Sequence, residues 1–161
     1  MASTNGGGHS HPQSTAKIGG HPLHPMLIPF PIVCFIGAFV ADVVFLKYGG
    51  DGAHGWAVAS RILLLVGLIM AALAAVTGLT DYFGEKRIQV SDAVKHMLAN
   101  VTAVVIELVN LILRWHNDAA IPKIGVYLSV LVALILLYSG WKGGDLVYRH
   151  GMGMNDNRGD L

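Results

Sequence analysis

Four long apolar stretches constrain this chain more than any other feature of its sequence. They cover about residues 25–48, 58–81, 93–115 and 121–142. Each is close to the roughly 20 apolar residues that an α-helix needs to cross about 30 Å of hydrocarbon. In the second stretch, 19 consecutive residues between Arg61 and Asp81 carry no charge. The sequence therefore predicts an all-α bundle of four transmembrane helices, with both termini on the same side of the membrane.

The composition is also that of a membrane protein. Hydrophobic residues make up 53% of the chain and charged residues only 13%, whereas soluble domains contain about 25% charged residues. The formal net charge is +1, so no strongly basic field indicates nucleic-acid binding. The expected partner is the lipid bilayer, and nucleic acid is not an expected partner.

The stretches divide the chain into three parts. Residues 1–18 lack the apolar run of a cleavable signal peptide, and we predict that they form a disordered polar tail. Residues 19–154 form the four-span membrane domain, and residues 155–161 form a C-terminal tail.

The side of the termini carries seven basic residues: Lys17, Lys86, Arg87, Lys95, Lys142, Arg149 and Arg158. The other side carries four: Lys47, Arg61, Arg114 and Lys123. Since basic loops tend to stay in the cytoplasm, this bias favours cytoplasmic termini.

Four spans bring scattered polar residues to one membrane surface. The motif His21-Pro-Leu-His24-Pro enters the first span there, and His96 enters the third. Asp81 at the end of the second span, and Asp145 and His150 after the fourth, lie at the same surface. Histidines and carboxylates in one place are typical of a haem or metal site.

Several ligand sets remain open at this surface. For a b-type haem, two of His24, His96 and His150 would be axial ligands, and Gly78 or Gly143 would admit the ring. The supporting residues would be His21, Asn100, Asp81 and Asp145. If a metal ion takes the place of haem, the ligands would be His21, His24, His96 and His150, with copper, iron or zinc as the metal. In the alternative interpretation, the histidines only bind helix ends and lipid headgroups.

The interiors of the spans also contain polar residues. Asn100, Glu107 and Asn110 share one face of the third span with His96. Polar groups in hydrocarbon are costly and usually face the bundle interior or a partner, so Glu107 and Asn110 are candidate intramembrane functional residues. Asp42, near the end of the first span, is interpreted as a carboxylate that reaches water.

Three motifs resemble a known family. They are the segment Gly19 to Pro31 (GGHPLHPMLIPFP), the pair His96 and Asn100, and the segment Gly143 to Met154 (GGDLVYRHGMGM). Together they are similar to the bacterial four-helix inner-membrane proteins of domain-of-unknown-function family 2231. Some members of that family are fused to Rieske or cytochrome-c-like domains, which implies haem binding or electron transfer. By this resemblance, His24, His96 and His150 are the first candidates for binding the cofactor.

The resulting hypotheses fall into three classes. In the first, the protein is a haem- or metal-binding electron-transfer component of a bacterial inner membrane. Because the chain has no CxxCH motif for covalent haem, its redox carrier would be a separate protein. In the second, it is a non-catalytic assembly partner of a larger membrane complex, associating through a small-residue stripe from Gly67 to Gly78. In the third, it is a small permease that acts as a dimer, the smallest homo-oligomer, with Glu107 and Asn110 on its transport path. No nucleophile lies beside a base in a recognisable arrangement, so the sequence leaves enzymatic activity uncertain and favours its absence.

Overall fold

The computed structural model describes residues 11–12, 14–49 and 52–152, and helices dominate it. A short antiparallel hairpin of β1 (Lys17–Ile18) and β2 (His21–Pro22) comes first. The helices that follow are α1 (Leu23–Leu27), α2 (Pro29–Tyr48), α3 (Ala53–Gly84), α4 (Ser91–Arg114) and α5 (Val126–Tyr148). A 3₁₀ turn at Lys86–Ile88 precedes α4, and one turn of π-helix at Ile121–Gly125 precedes α5.

The predicted all-α four-span fold is confirmed. Four helical segments are long and apolar enough to cross a membrane: Leu23–Tyr48, Ala53–Gly84, Ser91–Arg114 and Ile121–Tyr148. Large apolar side chains such as Val33, Ile62 and Leu137 point outward with more than half of their surface exposed. Such outward faces suit lipid tails, which are as apolar as the side chains themselves.

The helix ends differ from the predicted span limits. The helix α3 has 32 residues, about 48 Å at 1.5 Å per residue, and therefore extends beyond the hydrocarbon. Gly143 and Gly144 do not end α5, which continues to Tyr148 and carries an Asp145–Arg149 ion pair of 3.0 Å. The outer parts of the predicted tails, residues 1–10 and 153–161, lie outside the described residues. On the N-terminal side, the Ser14 hydroxyl donates a hydrogen bond to Asp81 at 2.8 Å.

The four long helices form a ring. The helix α2 lies beside α3, α3 beside α4, α4 beside α5, and α5 beside α2. The central core is apolar, with Phe35, Leu64, Ala103 and Val132 among its members. The helices α2 and α4 are therefore diagonal to each other, and residues that join them lie near the axis of the bundle.

The two helical hairpins repeat one pattern. An interval of 72 residues separates His24 from His96 and also separates Asp42 from Arg114. The same interval relates three further pairs of buried residues: Pro31 and Ala103, Phe35 and Glu107, Ala38 and Asn110. On the partner helices, 65 residues separate Ala74 from Ser139, Gly78 from Gly143, and Ser60 from Gly125. The segment α1–α3 thus corresponds to α4–α5, and two pairs of equivalent residues meet across the bundle: His24 with His96, and Asp42 with Arg114.

Candidate functional site

A pair of histidines lies where the two halves meet at one end of the bundle. His24 comes from α1 and His96 from the first turns of α4, and both are half-buried. Their ring centres are 6.4 Å apart and the ring planes are nearly perpendicular, at 89°. We call these two residues the histidine pair.

His24 lies in the first helical turn of the first span. The helix α1 ends at Leu27 and α2 begins at Pro29, which has no N–H to donate, but Ile28 between them keeps helical dihedral angles. The turn that carries His24 therefore continues into the long span α2. The Nδ1 atom of His24 then lies 2.8 Å from the carbonyl oxygen of Ala74 on α3.

His96 makes the equivalent contacts in the second half. Its Nδ1 atom lies 2.9 Å from the carbonyl oxygen of Ser139 and 3.0 Å from the Ser139 hydroxyl on α5. Its Nε2 atom lies 3.1 Å from the amide nitrogen of Asn100, one turn further along α4. Asn100, predicted as a supporting residue, therefore contacts His96 directly.

These contacts fix the tautomer of both rings. A carbonyl oxygen only accepts hydrogen bonds, so Nδ1 must be the donor in both His24 and His96. In the neutral form of each ring, the lone pair is then on Nε2. The Asn100 amide donates to the lone pair of His96, whereas Nε2 of His24 has no hydrogen bond within residues 11–12, 14–49 and 52–152. An imidazole anchored through Nδ1 with a free Nε2 is the form that binds metals.

The two glycines predicted to admit a haem ring have another role. A Cβ atom at Gly78 would lie 2.8 Å from Cε1 of His24, and one at Gly143 would lie 3.2 Å from Cε1 of His96. The space above each glycine is thus filled by an imidazole. The missing side chains of both glycines seat the histidines, so a haem would have to lie beyond the two rings and not above the glycines.

The other predicted histidines lie apart from the pair. His150 faces Asp92, with Nε2 3.4 Å from a carboxylate oxygen. His21 is exposed in strand β2. Among the residues that the structure describes, no group of three or more His, Cys, Asp or Glu side chains could hold a metal ion. The four-histidine ligand set is therefore not assembled here.

The two predicted supporting carboxylates have other partners. One oxygen of Asp81 accepts hydrogen bonds from the Ser14 hydroxyl and from the backbone of Thr15 and Ala16, each at 2.8 Å. Asp145 pairs with Lys142 and Arg149, both at 3.0 Å. Asp81 thus ties the segment before β1 onto the end of α3, and Asp145 stabilises the end of α5.

The opposite end of the bundle holds a second buried site that the sequence interpretation missed. Asp42 and Arg114 are fully buried and form an ion pair of 2.6 Å between the diagonal helices α2 and α4. The interpretation of Asp42 as a carboxylate that reaches water is wrong, because Arg114 neutralises it inside the bundle. The sequence contained one indication of this pairing: Asp42 and Arg114 are 72 residues apart, as His24 and His96 are.

Two carboxylates outside the spans have lowered pKa values. Hydrogen bonds from Arg87 lower the pKa of Glu85 to about 2. Partial burial alone would raise the pKa of Asp118, but hydrogen bonds from His54 and Arg61 outweigh it and hold the pKa below its usual value. Both groups are therefore ionised at neutral pH.

The small-residue stripe of α3 is used inside the chain. A Cβ atom at Gly67 would lie 2.6 Å from the ring of Phe35 on α2, and Ala71 and Ala74 are buried. Gly78 seats His24 as described above. The stripe therefore allows close packing of α2 and α1 on α3, as small residues do between membrane helices. Ala75 of the same stripe is exposed, so association with another chain through this helix stays a prediction.

Comparisons with known proteins give one match. No curated protein and no solved structure matched the chain. The family described as predicted membrane protein (DUF2231) matches residues 20–156, a range that contains all four spans, the histidine pair and the buried ion pair. With most of its length covered, the chain belongs to the DUF2231 family of predicted membrane proteins.

Proposed function

We propose that the histidine pair binds one redox-active metal centre, either the iron of a b-type haem or a copper ion, and that the protein transfers electrons at the membrane surface. The observation that carries this proposal is the shared tautomer. Each ring donates through Nδ1 to a backbone carbonyl and keeps its lone pair on Nε2. Backbone carbonyls are common partners of metal-binding histidines, because they fix the ring and direct the other nitrogen to the metal.

The separation of the rings supports a shared centre. A metal lies about 2.0–2.1 Å from an imidazole nitrogen and hence about 3 Å from the ring centre. Two imidazoles that share one metal would therefore have ring centres no more than about 6 Å apart, and the 6.4 Å between His24 and His96 is close to this limit. His96 would accept the metal in place of the Asn100 amide.

The donor set fits two kinds of centre. Two neutral imidazoles suit copper as well as the axial positions of haem iron. The bound metal would supply the one-electron chemistry. His24 and His96 would hold it, and the carbonyl groups of Ala74 and Ser139 would keep both rings oriented. A copper ion would need only the space between the two rings. A haem would need further room, and the spaces above Gly78 and Gly143 cannot provide it because the imidazoles fill them.

The location in the cell belongs to the same proposal. We place the protein in a bacterial inner membrane with both termini and the histidine pair on the cytoplasmic side, where a separate redox carrier would meet it. Seven basic residues lie on that side. Of the four on the other side, Arg114 is neutralised inside the bundle, which leaves three and supports the same orientation.

Absorption spectra and metal analysis of the purified chain in detergent test the proposal. We expect either a Soret band that changes on reduction or, without such a band, about one copper ion per chain. His24→Ala and His96→Ala should each abolish the bound centre. The control is His116→Ala, which removes an exposed histidine at the opposite surface and should leave the centre intact.

A further variant separates metal binding from structure. His24→Asn keeps a donor for the Ala74 carbonyl but has no ring nitrogen for a metal, so it should fold and still lack the centre. The proposal would be refuted if the wild-type chain contained neither haem nor copper. Retention of the full metal content in both His24→Ala and His96→Ala would also refute it.

A further inference from the structure

The end of the bundle opposite the histidine pair contains a cluster of polar side chains with almost no exposed surface. We call it the intramembrane polar cluster. Its members come from all four long helices: Asp42, Ser60, Glu107, Asn110, Arg114 and Ser129. Within the described residues, all but one of its side-chain nitrogen and oxygen atoms have a hydrogen-bond partner. The exception is Oε1 of Glu107.

Arg114 gives its hydrogen bonds to three members of the cluster. Its Nη1 atom donates to Asp42 at 2.6 Å and to Ser60 at 2.7 Å. Its Nε and Nη2 atoms donate to the amide oxygen of Asn110 at 3.1 and 2.5 Å. None of these bonds reaches Glu107.

Asp42 is fully satisfied as a carboxylate. Its Oδ1 atom accepts from Arg114 and from the Ser60 hydroxyl, the latter at 2.7 Å, and its Oδ2 atom accepts from the Ser129 hydroxyl at 2.9 Å. Charged hydrogen bonds of this kind stabilise the ionised form. The charge of Arg114 is therefore already balanced by Asp42.

The Glu107 side chain accepts one hydrogen bond, from Asn110. An arginine can only donate, so the Asn110 atom that faces Arg114 must be the oxygen, and the Asn110 nitrogen must face Glu107. That nitrogen lies 2.8 Å from Oε2 of Glu107. Since an amide nitrogen donates, Oε2 is the accepting oxygen, and a proton on this side chain can only be on Oε1.

The charges around Glu107 leave it without a cation of its own. The charged groups that act on it are Arg114 and Asp42, whereas α3 and α5 contribute the hydroxyls of Ser60 and Ser129 to the cluster. One guanidinium cannot neutralise two carboxylates. If both were ionised, a net negative charge would remain in a site shielded from water, and buried groups in that position take up a proton instead.

We infer that Glu107 is a proton-binding site in the membrane interior, a neutral carboxylic acid at neutral pH that carries its proton on Oε1. The site lies 11 residues beyond His96, about 16 Å along α4. It requires no metal and is therefore independent of the electron-transfer proposal. The positive charge of Arg114 is balanced by the Asp42 carboxylate, so Glu107 is neutral only when it carries a proton.

Infrared spectroscopy of the full chain in lipid vesicles can test this inference without any substitution. The chain contains only two glutamates, Glu85 and Glu107. Glutamate labelled with ¹³C at the side-chain carboxyl should shift one carboxylic-acid carbonyl band at neutral pH. Glu85 cannot be its source, because its pKa of about 2 keeps it ionised.

A matched pair of variants then assigns the band. Glu107→Gln should abolish the labelled carboxylic-acid band completely, whereas Glu85→Gln should leave it unchanged. The inference is overturned if labelled wild-type protein shows only carboxylate bands at neutral pH. It is also overturned if the acid band persists in Glu107→Gln. Should that variant fail to fold, the labelled wild-type spectrum still decides.

Discussion

At the scale of single residues, two missing side chains determine where the histidines lie. Gly78 and Gly143 provide the space in which His24 and His96 contact the neighbouring helices. The carbonyls that bind the rings belong to Ala74 and Ser139, one turn before each glycine. A glycine and a carbonyl one turn apart on a helix thus form a seat for an imidazole, and the chain uses this arrangement twice.

The seat of His24 leads to a prediction for Gly78→Ala. The added methyl group would lie 2.8 Å from Cε1 of the ring, and such overpacking typically costs about 1–3 kcal/mol. We expect a lower unfolding free energy in detergent and, if a metal is bound, a weaker centre.

Gly140→Ala is the matched control, because a Cβ atom there has nothing within 4 Å. Replacing a glycine within a helix by alanine is otherwise favourable by roughly 0.5–1 kcal/mol. Gly140→Ala should therefore be neutral or stabilising. Equal effects of the two substitutions would contradict the role of Gly78.

At the scale of elements, the two hairpins are joined by opposite charges on diagonal helices. Asp42 on α2 and Arg114 on α4 occupy equivalent positions of the repeat. Two copies of the first hairpin would bring two aspartates together at this point, and two copies of the second would bring two arginines. The ion pair thus favours association of the first hairpin with the second over association of either with itself.

Single and double substitutions measure this coupling. Asp42→Asn and Arg114→Met should each lower the unfolding free energy by about 3–5 kcal/mol, because each leaves a buried polar group without its partner. In the double variant, the unfolding free energy should fall by clearly less than the sum of the two single decreases.

An ion pair with an exposed arginine provides the control for these substitutions. Arg149 pairs with Asp145 but is 68% exposed, so Arg149→Met should cost no more than about 0–1 kcal/mol. Strict additivity of Asp42→Asn and Arg114→Met would show that the buried charges are not coupled.

At the scale of the whole molecule, polar groups lie at both ends of the bundle and apolar side chains lie between them. The histidine pair and the intramembrane polar cluster are separated by a core that includes Phe35, Leu64, Ala103 and Val132. In the part of the chain that the structure describes, no side-chain hydrogen bond joins the residues of the histidine pair to those of the intramembrane polar cluster.

The orientation of the molecule can be checked with reporter fusions in a bacterial host. Alkaline phosphatase, which is active only outside the cytoplasm, should be inactive when fused after Leu161. The same reporter inserted after Gly52, in the connection between α2 and α3, should be active. The reverse result would place the histidine pair on the outer surface and contradict the orientation inferred from the basic residues.

The sequence by itself determined the four spans and the end of the bundle at which His24 and His96 lie, because hydropathy is a local property and the number of crossings places each residue on a side. It also identified Glu107 and Asn110 as unusual, since polar side chains in an apolar stretch are costly. Only the tertiary structure decided that His24 meets His96 while His150 turns to Asp92. It also showed that Asp42 does not reach water and forms an ion pair with Arg114, 72 positions away. Such pairings depend on how each helix is rotated and packed around the common axis, and no local pattern of residues records that rotation.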